Sequence, residues 1–149
     1  MDSKKIIPLR RDQAINSVNY GFEPTPENIK EKYEEMRSLY YLDKIQETLN
    51  LANTLLQIDL KSAGRGYLET SILHYKGGCH TRLQDYRAAL TAFKQITEIN
   101  KFNNGAWAAI TLIYLKLGQH EKAIQASDKA LEIYADKKQF DFMRMELKL

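Results

Sequence analysis

Apolar side chains recur along this chain at helical rather than strand spacing. After a first stretch with no sustained period, Ile29, Tyr33, Met36 and Tyr40 form a stripe with every third or fourth position apolar, the mark of one buried helical face. "TPEN" opens that helix: Thr25 can cap it, and Pro26 suits the first helical position, where its missing N–H would go unpaired anyway. Asp43 restarts the pattern, with Ile45, Leu49, Ala52 and Leu56 on one face. "SAGRG" at 62–66 is a break, and residues 67–83, 85–99, 105–117 and 120–133 then read as helices. "NKFNNG" and "LGQH" are turns between them, and this region has no strand alternation. The pattern predicts six helices in three antiparallel pairs.

The last stripe is unusual. In "LKLGQHEKAIQASDKALEIYAD" the face that should carry bulk holds Ala123, Ala126 and Ala130. Shifting the chain by 34 residues lays "RLQDYRAALTAFKQITEI" on "KLGQHEKAIQASDKALEI", so that Ala89 meets Ala123, Ala92 meets Ala126 and Ile99 meets Ile133. A helix–turn–helix repeated at that period cannot bury its apolar face alone and stacks on the next unit. The alanines are then contact points where neighbouring helices approach closely.

At these residues the chain resembles the tetratricopeptide repeat family. In 104–137, Trp107 and Tyr114 fill the bulky first-helix positions, Gly118 the turn, and Ala123 and Ala130 the small second-helix positions. Thr111 stands where the family prefers glycine and Ala135 where it prefers proline. The unit from 70 to 103 matches through Leu73, Gly77, Tyr86, Ala89 and Phe93 and departs at His80, Gln84 and Ile96. The first copy is poorer, with Thr48 for an expected alanine and Leu60 for an expected proline. The resemblance implies an all-α fold: a right-handed superhelical stack of three helix–turn–helix repeats at about 26–62, 63–103 and 104–137. An irregular or extended arm, 1–25, precedes it, and a C-terminal capping helix at 138–149 closes it.

One departure concerns spacing. The second-helix ends Ile58 and Ile99 are separated by seven residues more than the later period. Seven residues are almost two helical turns, so a longer helix could absorb them with its buried face nearly in phase. The expectation is a lengthened third helix near 67–83. Gly77 matches the small position where paired helices touch; Gly78 has no such match, and a second glycine in a helix is expected to mark a bend.

Both ends are more apolar than idle termini. The arm holds Ile6, Ile7, Leu9, Val18, Tyr20 and Phe22, and is expected to lie extended against the helices of its own chain or of a second copy. The tail carries Phe140, Met143 and Leu147 at helical spacing, which suits a cap; a dimer contact or partner motif is the alternative.

Composition narrows the function classes. The net charge of +3 is too mild to argue for nucleic acid, and no run reaches the length of a membrane helix. Cys79 is the only cysteine, so no internal disulfide can form, and no stretch looks like a signal peptide; the expected location is cytoplasmic. His74, Cys79 and His80 do not follow a zinc pattern, and the adjacency of Cys79 and His80 points their side chains apart. "SAGRGYLET" lacks the lysine and spacing of a phosphate loop. Neither an enzyme nor a cofactor or metal is expected.

What remains is recognition. In the family, stacked first helices line a concave groove that holds a peptide or a partner helix. Carried across position by position, the resemblance implies a partner-binding surface of Lys30, Tyr33, Arg37, Tyr40 and Tyr41, then His74 and Arg82, then Leu112 and Lys116. It has four cations and no carboxylate among its positions. The family's clamp for a terminal carboxylate uses paired lysines and asparagines; the equivalent positions hold Tyr33, Arg37, His74 and Gly78, so that ligand is not expected. The expectation is an adaptor or chaperone-like protein binding a protein or peptide partner of acidic and apolar character, with no nucleic acid or membrane partner. The alternative is a structural subunit that self-associates as a homodimer through arm and tail, its groove occupied by its own chain.

Overall fold

The computed structural model describes residues 19–133. Among them are six α-helices and no strand: α1 (Pro26–Tyr41), α2 (Ile45–Gln57), α3 (Glu69–Arg82), α4 (Tyr86–Ile99), α5 (Asn104–Lys116) and α6 (His120–Ile133). A single 3₁₀ turn, Gly66–Leu68, precedes α3. The all-α class and the six expected helices are present. The arm before residue 19 and the capping segment 138–149 lie outside the described residues. The chain divides into two compact units, Met1–Cys79 and His80–Leu149, with the boundary inside α3.

The first helix starts as its sequence dictates: the Thr25 hydroxyl accepts from the Asn28 N–H at 3.1 Å, with Pro26 at the head of the helix. Asp85 and Asn103 cap α4 and α5 in the same way, accepting from Ala88 N–H at 3.3 Å and Ala106 N–H at 2.9 Å. Each cap satisfies one of the donors that a helix start leaves unpaired.

The turns within the helix pairs are three copies of one motif. After α1, the Lys44 N–H reaches back to the Leu39 carbonyl and the Asp43 N–H to that of Tyr40, both at 3.0 Å. After α3, Asp85 reaches His80 (2.9 Å) and Gln84 reaches Thr81 (3.0 Å); after α5, Gln119 reaches Tyr114 (2.9 Å) and Gly118 reaches Leu115 (3.0 Å). This paired closure requires a left-handed residue just past the helix. Asp43, Gln84 and Gly118 supply it with φ of 60°, 59° and 71°. Only the third turn uses the residue without steric cost there. Asp43 therefore does not begin α2; it is the turn.

The third α-helix is not itself lengthened, although the 3₁₀ turn Gly66–Leu68 runs directly into it. α3 has 14 residues, the same as α4 and α6. The seven extra residues lie in the connection before it, which runs over 58–68 where the later connection needs only 100–103. The reason is burial. Ile58, Leu60, Ala63 and Leu68 turn into the first unit's core beside Ile29, Met36, Ala52, Leu55 and Ile72. Each large side chain so covered contributes up to about 1.5–3 kcal/mol. Leu60, read as a misfit for proline, is one of them. The loop is closed internally: Ser62 Oγ donates to Asp59 at 2.8 Å, the Arg65 N–H to the Leu60 carbonyl at 2.8 Å, and Arg65 Nε to the Pro26 carbonyl at 3.1 Å. The N–H groups of Ala63, Gly64 and Arg65 are all used in this closure, which leaves them no role in cradling an anion.

Tyr20 is buried in the same core with Phe22 packed beside it, so the described end of the arm rests on the first unit. In the second unit α4 packs on α5 and α5 on α6. The alanine stripe is covered: Ala123 and Ala130 are fully buried and Ala126 nearly so, with Trp107 and Ala108 of α5 against Ala130. Thr48 and Thr111, two departures from the family pattern, are also fully buried. Each hydroxyl donates to the carbonyl four residues back, Lys44 at 2.7 Å and Trp107 at 2.9 Å, so neither is an unpaired polar group.

Candidate functional site

The first unit carries a tyrosine–arginine cluster. Helical spacing puts Tyr33, Arg37 and Tyr40 of α1 on one face, since positions four and seven apart return to the same side. Tyr41 stands next to them, 69% exposed. α3 contributes the hub, Tyr75. Its ring lies 6.4 Å from Tyr33, 5.0 Å from Tyr40 and 6.2 Å from Tyr41, tilted 70–84° in each case. Tyr40 and Tyr41 meet edge-on at 5.5 Å. Such pairs set the positive edge of one ring against the negative face of another.

Polar contacts lock the cluster. Arg37 Nε donates to the Tyr75 hydroxyl at 3.1 Å, and its Nη1 to Glu34 Oε2 at 3.1 Å. The guanidinium also lies 5.9 Å from the Tyr33 ring centre. The Tyr41 and Tyr75 hydroxyls are 3.5 Å apart. Burial and the bond with Tyr41 hold the Tyr75 phenol above the ordinary tyrosine range, with Arg37 pulling the other way. The bond with Tyr75, then the charges of Tyr75 and Glu34, raise Arg37 further into its cationic form.

Gly78 now has an account. A side-chain carbon there would lie 2.7 Å from the Tyr40 hydroxyl and 3.2 Å from its ring. The glycine makes room for Tyr40, and α3 continues through it.

The structure brings Tyr33, Arg37, Tyr40 and Tyr41 together. Lys30 is exposed at the start of the same helix, and His74 is half-buried on α3. Arg82, Leu112 and Lys116, all exposed, belong to the second unit. Glu34, outside the carried-over positions, reaches Arg37 at 3.1 Å and partly neutralises it. Tyr75 was missed because it is not a groove position in the family match. The unassigned Gly78 pointed to a bulky neighbour, but that neighbour is Tyr40, and no residue pattern singled out Tyr75.

Among the described residues no group of three or more His, Cys, Asp or Glu side chains is placed to hold a metal ion. Cys79 is fully buried, and His80 Nδ1 lies 3.8 Å from Asp85 Oδ2. No described helix is long and apolar enough to cross a membrane. The cluster offers flat aromatic area, hydroxyls and a cation: the chemistry of contact, not of bond making.

Residues 105–137 match the tetratricopeptide repeat family model. The chain thus carries a tetratricopeptide repeat at the place where the alanine stripe and turn glycine predicted one. Its fold is that of solved helical-repeat chaperones. It is similar to the Yersinia enterocolitica type III secretion chaperone SycD in complex with a peptide of the translocator YopD, at 13% identity and TM-score 0.66, covering 82% of this chain and 88% of that one. SycD solved as the type III secretion translocator chaperone gives 13%, 0.64, 91% and 92% in the same order. The CopN–Scc3 complex gives 16%, 0.67, 97% and 77%. At these identities the likeness speaks to fold. No curated protein sequence matches the chain.

Proposed function

We propose that this protein is an adaptor or chaperone-like interaction module that holds a peptide or helix of a partner protein, acts in the cytoplasm and catalyses no reaction. The observation that carries this is the tyrosine–arginine cluster on α1 and α3: aromatic surface held rigid from beneath by Tyr75, with Tyr41 and Leu42 exposed beside it. Tyrosine and arginine are the usual anchors of protein contacts, and a preordered cluster loses little entropy on binding. A chaperone of the same fold is solved holding a translocator peptide, which supports a peptide as the ligand class. The proposed contacts are Lys30, Tyr33, Arg37, Tyr40, Tyr41 and His74 in the first unit and Arg82, Leu112 and Lys116 in the second. With cations prevailing among them, the partner segment combines acidic residues with apolar anchors.

A peptide array followed by titration tests this. Hits should be enriched in carboxylates beside aliphatic or aromatic residues, and Tyr41→Ala should weaken them by at least ~1 kcal/mol. Hits without acidic bias, or equal binding by the Tyr41→Ala and Arg82→Ala variants, would remove the proposal.

Burial of Tyr20 favours a second reading, a subunit whose own arm occupies its surface and drives homodimer formation. Deleting residues 1–18 leaves Tyr20 and Phe22 in place. A fall in solution mass on that deletion supports self-association; unchanged mass with new peptide affinity supports the module.

A further inference from the structure

The second unit has a basic cavity that the tyrosine cluster plays no part in. Lys122 and Lys129 lie seven residues apart on one face of α6. Trp107, Ile110 and Tyr114 form a matching stripe on α5, and Lys94 comes from α4. Together they line a cavity of about 360 Å³. Its lining combines aromatic and aliphatic side chains with three lysines, and among the described residues no carboxylate lines it.

The lysines are placed specifically. Lys94 Nζ lies 5.6 Å and Lys122 Nζ 5.9 Å from the centre of the Tyr114 ring. The negative ring face attracts both ammonium groups, while their like charges repel each other. Lys129 has a carboxylate neighbour, Glu132 at 3.6 Å. Among the described residues neither Lys94 nor Lys122 forms an ion pair. Two cations gathered at one concavity without a counter-charge focus positive potential there.

We propose that this cavity docks an acidic segment of a partner protein. One aromatic or aliphatic side chain of that segment covers the half-buried Trp107, and flanking carboxylates reach Lys94 and Lys122. A polypeptide is favoured because a chain of mixed side chains meets an apolar lining and cationic groups at once. The protein's own ends are disfavoured on charge. Residues 1–18 hold Lys4, Lys5, Arg10 and Arg11 against Asp2 and Asp12; residues 134–149 hold Lys137, Lys138, Arg144 and Lys148 against Asp136, Asp141 and Glu146. A second copy, with net charge +3, is disfavoured in the same way.

Trp107 is the only tryptophan and lies in the cavity, so its emission reports occupancy directly. The probe is a short synthetic peptide with glutamates on both sides of one phenylalanine, titrated against the full chain. A saturable change in Trp107 emission is expected. The Lys94→Glu/Lys122→Glu variant should weaken binding at least about tenfold, and Lys94→Gln/Lys122→Gln by less. Helix content measured alongside confirms that both variants fold. Arg37→Ala/Tyr41→Ala, in the first unit, should leave the titration unchanged, which separates this site from the proposed peptide surface there. The proposal is overturned by a silent Trp107, by full affinity in the charge-reversed variant, or by loss of binding on Arg37→Ala/Tyr41→Ala. Equal response to a peptide with serine for phenylalanine, or to oligothymidine of matched charge, overturns it as well, since attraction without recognition would then suffice.

Discussion

The two units treat their cations differently. In the first, Arg37 is committed: it donates to Tyr75 and to Glu34, and serves to fix tyrosine rings. In the second, Lys94 and Lys122 flank the Tyr114 ring beside an apolar cavity, and no described carboxylate pairs with either. Equal formal charges in a sequence are therefore unequal as ligands. A guanidinium with two partners is a structural element that presents aromatic surface; an ammonium without a counter-charge remains available to a partner.

The contrast can be broken first at the scaffold beneath the lysine cavity. Ala123 is fully buried on α6, so Ala123→Leu should overpack the contact with neighbouring helices and cost about 1–3 kcal/mol. Denaturant unfolding followed by Trp107 emission reads the second unit, and tyrosine side-chain NMR reads the cluster of the first. An unmoved midpoint would mean that Ala123 lies free of close neighbours.

A smaller effect of opposite sign is expected at the turns. Gln84 holds a left-handed conformation that glycine adopts freely, as Gly118 does in the equivalent turn. Gln84→Gly should raise stability by about 1 kcal/mol, and Asp43→Gly should act alike in the first unit. Thermal melts of the two variants compare the units directly. A loss in either would show that the native side chain contributes more than its strain.

At Gly78, alanine would gain about 1 kcal/mol of helix propensity but meet Tyr40 at its hydroxyl. The two terms oppose each other, so Gly78→Ala should change stability by less than ~1 kcal/mol while moving the Tyr40 ring off Tyr75. The measurement is the ring-current shift of Tyr75; unchanged shifts would mean that Tyr40 yields without leaving the cluster.

The gentlest probe is pH. Tyr75 is held above the ordinary tyrosine range chiefly by burial. A group whose folded pKa is raised adds stability that is complete below its unfolded value, near 10, and lost as pH rises through the folded one. Tyrosinate absorbance should include a phenol that ionises above the ordinary tyrosine range. In Arg37→Ala that phenol should ionise later still, because the cation pulls its pKa down. Absence of such a late phenol would separate Tyr75 from the locked geometry.

The helices, the Thr25–Pro26 start and the repeat ending in the alanine stripe were legible in the sequence, because each depends on neighbours a few residues away or on an internal copy. Three features were not. The seven extra residues fit a longer helix as well as a loop, since almost two turns preserve the phase of a buried face. They became a loop because Ile58, Leu60, Ala63 and Leu68 found room in the core, which local spacing cannot register. The left-handed turns at Asp43 and Gln84 carry no residue signal, because position after a helix, not side-chain preference, forces them. The pairing of Arg37 with Tyr75 joins residues 38 apart in sequence through the packing of α3 against α1. The sequence by itself determined which faces are apolar and where the first helix begins. Only the tertiary structure decided which charged groups meet a partner, since a side chain's neighbours across a fold are set by how whole elements pack.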